Sequence, residues 1–142
     1  MKNIQNSIID AGPLIALFNK NDNYHQQAVK FIKKYRGDLF TTWPVVTEVM
    51  HMLNANFKCQ LNFLKYIDRG GIEIVNLSLP FISRLIDLFT QYSDVPINLA
   101  DATLIVLSER KQINKIITID SDFHIYRNKN TDYVKNIFKQ RR

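Results

Sequence analysis

A chain of 142 residues and 16.7 kDa, 46% hydrophobic and 23% charged, fits one folded domain, 1–142, and not a disordered segment. The lone cysteine, Cys59, excludes an internal disulfide and a cysteine-rich zinc site, and no apolar run reaches the roughly 18 residues of a membrane span. The formal charge is +6 and uneven: residues 1–108 carry ten basic and nine acidic side chains, residues 109–142 nine and four. That C-terminal excess fits either an anionic partner such as nucleic acid or a solubilising tail. With no signal-peptide pattern at the start, the expected setting is cytoplasmic, with no membrane partner.

In chain order, Ser7-Ile8-Ile9-Asp10 is a short apolar run closed by Ala11-Gly12-Pro13 and reads as a buried strand. Pro13 suits the first turn of a helix reaching Asn19. A helix starts around Asp22–His25, with Tyr24, Ala28, Phe31, Ile32 and Tyr35 on one apolar stripe, and Gly37 ends it. Leu39–Thr42 is a second strand. Pro44 opens a helix with Val46, Val49, Met50 and Leu53 on one face. Another helix runs from Phe57 to Ile67, stopping at Gly70-Gly71, and Ile72–Val75 alternates like a strand. Phe81–Tyr92 repeats apolar residues (Ile82, Leu85, Ile86, Phe89) at helical spacing. Asn98 caps a long helix from Leu99 to about Gln112, whose Ala102–Leu107 is apolar all round and so deeply buried. Lys115–Asp120 is the clearest strand, and Tyr133–Ile137 a last one. Strands alternating with helices predict a three-layer α/β/α sandwich on a mainly parallel sheet. Ligands of such sheets bind beyond the carboxyl ends of the strands.

That rule selects carboxylates. Asp10 and Asp120 each end an apolar strand, Asp101 stands in the first turn of the buried helix, and Glu48 in the first turns of the helix after Pro44. Four acids converging at one sheet edge repel one another unless protons or a cation offset the charge. With oxygen ligands alone the cation is a hard one, Mg²⁺ or Mn²⁺. Each acid also has an ordinary reading: a turn for Asp10, a favourable helix-start charge for Asp101, a loop position for Asp120 and Asp122, a solvated face for Glu48. His25, His51 and His124 lack ligand spacing, and Cys59 reads as an apolar filler. No glycine-rich phosphate loop is present.

Ile8-Ile9-Asp10-Ala11-Gly12-Pro13-Leu14-Ile15-Ala16-Leu17 followed by Asp22-x-x-His25 resembles the opening of PIN-domain nucleases. Thr47-Glu48-Val49, Leu99-Ala100-Asp101-Ala102 and Thr118-Ile119-Asp120-Ser121-Asp122-Phe123 match that family's remaining motifs in order. The resemblance spans essentially the whole chain and is similar in length to VapC-type toxins of bacterial toxin–antitoxin pairs. It implies a PIN-like fold, Mg²⁺-dependent endoribonuclease activity with Mn²⁺ as substitute, a homodimer, and a small cognate antitoxin. It also implies an acidic set of Asp10, Glu48, Asp101 and Asp120, with Asp122 as a further metal ligand and Thr118 as the hydroxyl beside the fourth acid. The chain departs from the pattern at Ala11, where many members carry Ser or Thr.

Arg127, Lys129, Lys135, Lys139, Arg141 and Arg142, facing one acid, Asp132, are the residues expected to position an RNA backbone. Two other classes stand beside this one. A phosphotransferase using Asp10 as nucleophile is disfavoured because Gly12 stands where the haloacid-dehalogenase type needs a second aspartate. A non-catalytic nucleic-acid-binding module with a degenerate metal site would be hindered by four acids at its centre.

Overall fold

The computed structural model describes residues 5–95, 97–120, 123, 126 and 134–138. Strand β1 (Gln5–Ile9) leads directly into helix α1 (Ala11–Phe18), then α2 (His25–Lys34) and β2 (Gly37–Thr41). Helices α3 (Trp43–Met52) and α4 (Phe57–Asp68) precede the two-residue β3 (Glu73–Ile74). A 3₁₀ turn (Leu79–Phe81) runs into α5 (Ile82–Gln91). It is followed by α6 (Leu99–Lys111), β4 (Lys115–Ile117) and β5 (Lys135–Asn136).

The five strands form one sheet in the order β3-β2-β1-β4-β5, every neighbouring pair parallel. The chain winds outward from β1 through β2 to β3, then returns to β1's other side for β4. The order therefore reverses between β1 and β4, the place where doubly wound sheets open a crevice. Helices layer this sheet into the expected α/β/α sandwich.

Burial follows the hydrophobic pattern. Ile8, Ile9, Ile116 and Ile117 of the two central strands are buried, as expected for strands covered on both faces. Helix α6 is buried from Ala100 to Ser108, so its nearly uniform apolar run is its core contact. Helix α5 forms over the expected span, with Leu88 buried and Leu85 packed against the core, whereas Ile82, Ile86 and Phe89 are exposed. Its apolar stripe faces outward.

Several boundaries shift for identifiable reasons. Helix α1 starts at Ala11, two residues before Pro13, because the Asp10 side chain caps it by accepting from the Ala11 N–H at 2.8 Å. Gly37 opens β2 and does not terminate α2. Its φ of +140° and the Gln5 carbonyl oxygen lying where a Cβ would stand exclude any side chain there. Strand β3 is shorter than Ile72–Val75, and β4 ends at Ile117, leaving Thr118 to Asp120 in a turn. Of the expected strand Tyr133–Ile137, Lys135 and Asn136 pair with β4, and Tyr133 lies outside the described residues.

Candidate metal centre

Parallel pairing of β1 with β4 puts Ile9 beside Ile117, and the pairing continues one step as Asp10 N–H donates to the Ile117 carbonyl at 3.0 Å. Asp10 and Thr118 therefore leave the sheet side by side. Asp10 is buried and uses both carboxylate oxygens: Oδ1 caps α1, and Oδ2 accepts from the Thr118 hydroxyl at 2.8 Å. The same hydroxyl accepts from the Asp120 N–H at 2.9 Å. One buried Thr118 thus orients the first carboxylate and folds the turn that presents the last.

Asp101 arrives from the other direction. Asn98 caps α6, its Oδ1 accepting from the Asp101 N–H at 2.8 Å, which holds Asp101 in the first turn with only 5% exposure. One carboxylate oxygen each from Asp10, Asp101 and Asp120 lies within 4.8 Å of the others. An octahedral Mg²⁺ with ligands at about 2.0–2.1 Å sets its oxygens roughly 3–4 Å apart, so the donor set fits one hard cation with little adjustment. Among the described residues this is the one such grouping.

The electrostatics bear this out. Burial pushes Asp10 up from 3.8 to about 6, against the lowering effect of the Ala11 N–H and Thr118 hydroxyl, with Glu48 and Asp120 adding repulsion. Asp101 rises from 3.8 to about 7, first through burial and then through the charges of Asp10, Asp120 and Glu48. A cation at their centre would remove the penalty.

Glu48 belongs to this field without belonging to the three. It is half-buried on α3, close enough to charge both Asp10 and Asp101, and borders an open groove of about 610 Å³. Trp43, Thr47, His51, Asn98, Leu99 and Ala100 line the same groove. His25 is structural: its Nδ1 bonds the Ala16 carbonyl at 2.8 Å. Cys59 is partly buried against the core, as a filler should be.

Of the basic residues expected to bind RNA, Lys135 is exposed on β5, paired in register with Lys115 of β4. Arg127, Lys129, Lys139, Arg141 and Arg142 lie outside the described residues, as do Asp122 and His124. Two residues escaped sequence reasoning. Lys115 reads as an ordinary strand residue until its register with Lys135 is known. Asn136 touches Thr118 across 18 residues, a contact with no local signal.

A doubly wound parallel sheet with three acids gathered where its strand order reverses defines a class of carboxylate-centred α/β domains. Within that class the chain belongs to the PIN domain family, whose model matches residues 7–129. It is similar to ribonuclease VapC26 of Mycobacterium tuberculosis, 27% identical over 115 residues that cover 80% of this chain and 85% of the relative. The fold is similar to that of Mycobacterium tuberculosis VapC20, described as a sarcin–ricin-loop-cleaving toxin. The TM-score is 0.76 at 16% identity, over 83% of this chain and 92% of that one. It also resembles a chain in the structure of VapBC2 from Rickettsia felis bound to a promoter DNA fragment, with TM-score 0.59 at 13% identity over 93% and 97%. Among the described residues no helix is long and apolar enough to cross a membrane.

Proposed function

We propose that this chain is a divalent-metal-dependent endoribonuclease and the toxin of a toxin–antitoxin pair. The observation that carries the reading is the convergence of Asp10, Asp101 and Asp120, drawn from three distant segments, onto one point at the sheet's crevice. The fold family and the ribonuclease relative support RNA as the substrate.

In this reading Asp10, Asp101 and Asp120 hold Mg²⁺ or Mn²⁺, with Asp122 as a further ligand. The bound cation supplies Lewis acidity to water and to the scissile phosphate. Thr118 holds the Asp10 carboxylate in place while Asp10 caps α1, so the ligand cannot swing away from the centre. Glu48, outside the three, would orient the attacking water and accept its proton, a role Asp120 could share. The groove beside Glu48 is large enough for a nucleotide. Lys135 on the edge strand β5, in register with Lys115 of β4, would contact the RNA backbone together with Arg127, Lys129, Lys139, Arg141 and Arg142.

Two exposed apolar faces support two protein partners. On one, Met52, Phe57, Leu61 and Leu64 of α3 and α4 stand exposed, and a small cognate antitoxin would cover them. On the other, Leu79, Ile82, Ile86 and Phe89 form a ridge along α5 suited to a second copy of the chain. Residues 1–142 act as one domain throughout.

The test is RNA cleavage with Mg²⁺, with excess chelator, and with Mg²⁺ restored. Activity that disappears and returns with the cation is the expected result. RNA binding without cleavage under all three conditions would favour the non-catalytic module, and chelator-resistant cleavage would remove the metal from the reaction.

A further inference from the structure

Asn136 lies on the exposed edge strand, yet its side chain makes three hydrogen bonds. Its Nδ2 donates to the Thr118 carbonyl at 3.1 Å. Its Oδ1 accepts from the Thr118 N–H at 3.3 Å and from the Phe138 N–H at 3.0 Å. The amide orientation is dictated by this pattern, since a flipped amide would set its NH₂ against two backbone N–H donors. The β4–β5 ladder explains the arrangement. Lys135 N–H donates to Asn114 and Ile137 N–H to Ile116, and the next carbonyl in that series, Thr118's, is taken by the Asn136 side chain. The amide acts as a substitute strand rung, holding both backbone groups of Thr118 after β4 has ended.

What it holds is the residue on which the acidic centre depends. Thr118 donates to Asp10 Oδ2 and accepts from Asp120 N–H, so a rotation of its backbone would disturb one acid and the turn carrying another. A solvated asparagine on an edge strand would not be held by three partners, two of them on a single residue 18 positions away.

We propose that Asn136 is a positioning residue: its amide clamps the Thr118 backbone and, through the Thr118 hydroxyl, sets Asp10 and Asp120 for cation binding. This deepens the metal-dependent reading above and rests on it for the cation, though the clamp itself exists without one.

The experiment compares wild type, Asn136→Ala, Thr118→Val and the double variant, each by amide hydrogen exchange in the metal-free protein and by calorimetric Mn²⁺ titration. Asn136→Ala should speed exchange of the Thr118 and Asp120 amides about tenfold or more while the amides of β1 and α6 keep their protection. Thr118→Val should weaken Mn²⁺ binding about 10–100-fold, the usual cost of losing an outer partner of a ligand, and Asn136→Ala about 3–10-fold. In the Thr118→Val background the asparagine change should then cost less than about twofold, because its route to the site is already cut. Unchanged Asp120 exchange, or two effects on Mn²⁺ affinity that simply multiply, would overturn the proposal. If Asn136→Ala does not fold, Asn136→Asp keeps the acceptor for both N–H groups and replaces the donor to Thr118 with a negative charge, so the Thr118 and Asp120 amide-exchange criterion decides the clamp. A wild type that binds no Mn²⁺ would refute the metal reading, and the exchange measurement would still decide the clamp.

Discussion

The two ends of the central strands solve opposite problems. Where β1 and β2 begin, polar groups are neutral and closed on themselves: the Tyr35 hydroxyl bonds the Gln5 carbonyl at 3.1 Å, the Ser7 hydroxyl at 2.9 Å and the Asp38 carbonyl at 3.2 Å. Gly37 completes that end by letting β2 pass against Gln5 with no room for a side chain. Where β1 and β4 finish, carboxylates crowd together, and the hydrogen bonds around Thr118 fix Asp10 and the turn that carries Asp120. One end is built for stability. The other holds like charges close together.

The sharpest way to break this contrast is to neutralise the repulsive end. Asp10→Asn or Asp101→Asn should lower RNA cleavage by more than about 100-fold, exceeding what loss of an outer partner costs. Each should also raise the metal-free melting temperature at pH 8, where wild type carries the full repulsion. A folded variant that cleaves normally at saturating Mg²⁺ would remove that residue from the metal site. A fall in melting temperature would mean that capping of α1 by Asp10, or the favourable helix-start charge of Asp101, outweighs repulsion.

At the stabilising end, Gly37→Ala should cost about 3 kcal/mol or more, through overlap with Gln5 and an unfavourable φ together. Denaturant titration reads this directly, and a loss below 1 kcal/mol would show that the β1–β2 entry yields easily. Tyr35→Phe is the mildest change, about 1 kcal/mol for one hydroxyl, with cleavage per folded molecule unaltered.

The pH dependence of the metal-free protein probes the repulsive end without any substitution. Asp10 and Asp101 titrate near 6 and 7 when folded and near 3.8 when unfolded, so the folded state holds more protons between those limits. Their contribution to stability is complete below pH 3.8 and is lost as pH rises through about 6 and 7. The loss is on the order of a few kcal/mol. Melting curves from pH 5 to 8 should show it in wild type and show it reduced in Asp101→Asn. A slope that survives unchanged in the variant would place its origin elsewhere.

Much of this architecture is legible in the residues themselves. The Ile-rich runs before Asp10 and Asp120 announce central strands because a sheet covered on both faces needs apolar residues at successive positions. Asn98 and the apolar Ala102–Leu107 announce α6, and a cap followed by an acid puts Asp101 at its start. Less was legible where long-range contacts override local pattern. Strand β4 stops early because side chains, those of Thr118 and Asn136, take over the backbone bonds. The periodicity of α5 marks an apolar face correctly but cannot say whether that face meets the core or the outside. Glu48 illustrates the same limit: its motif placed it among the acids, and the fold sets it beside the three without joining them.

A divalent cation held by Asp10, Asp101 and Asp120 would displace the protons that Asp10 and Asp101 carry. Calorimetric Mn²⁺ titration at pH 6.5, repeated in two buffers of different ionisation enthalpy, measures affinity and proton release together. Saturable binding with proton release at pH 6.5, release that vanishes by pH 8.5, and loss of both in Asp101→Asn are the expected results. Saturable binding that releases no protons at pH 6.5, or that persists unchanged in Asp101→Asn, would contradict it.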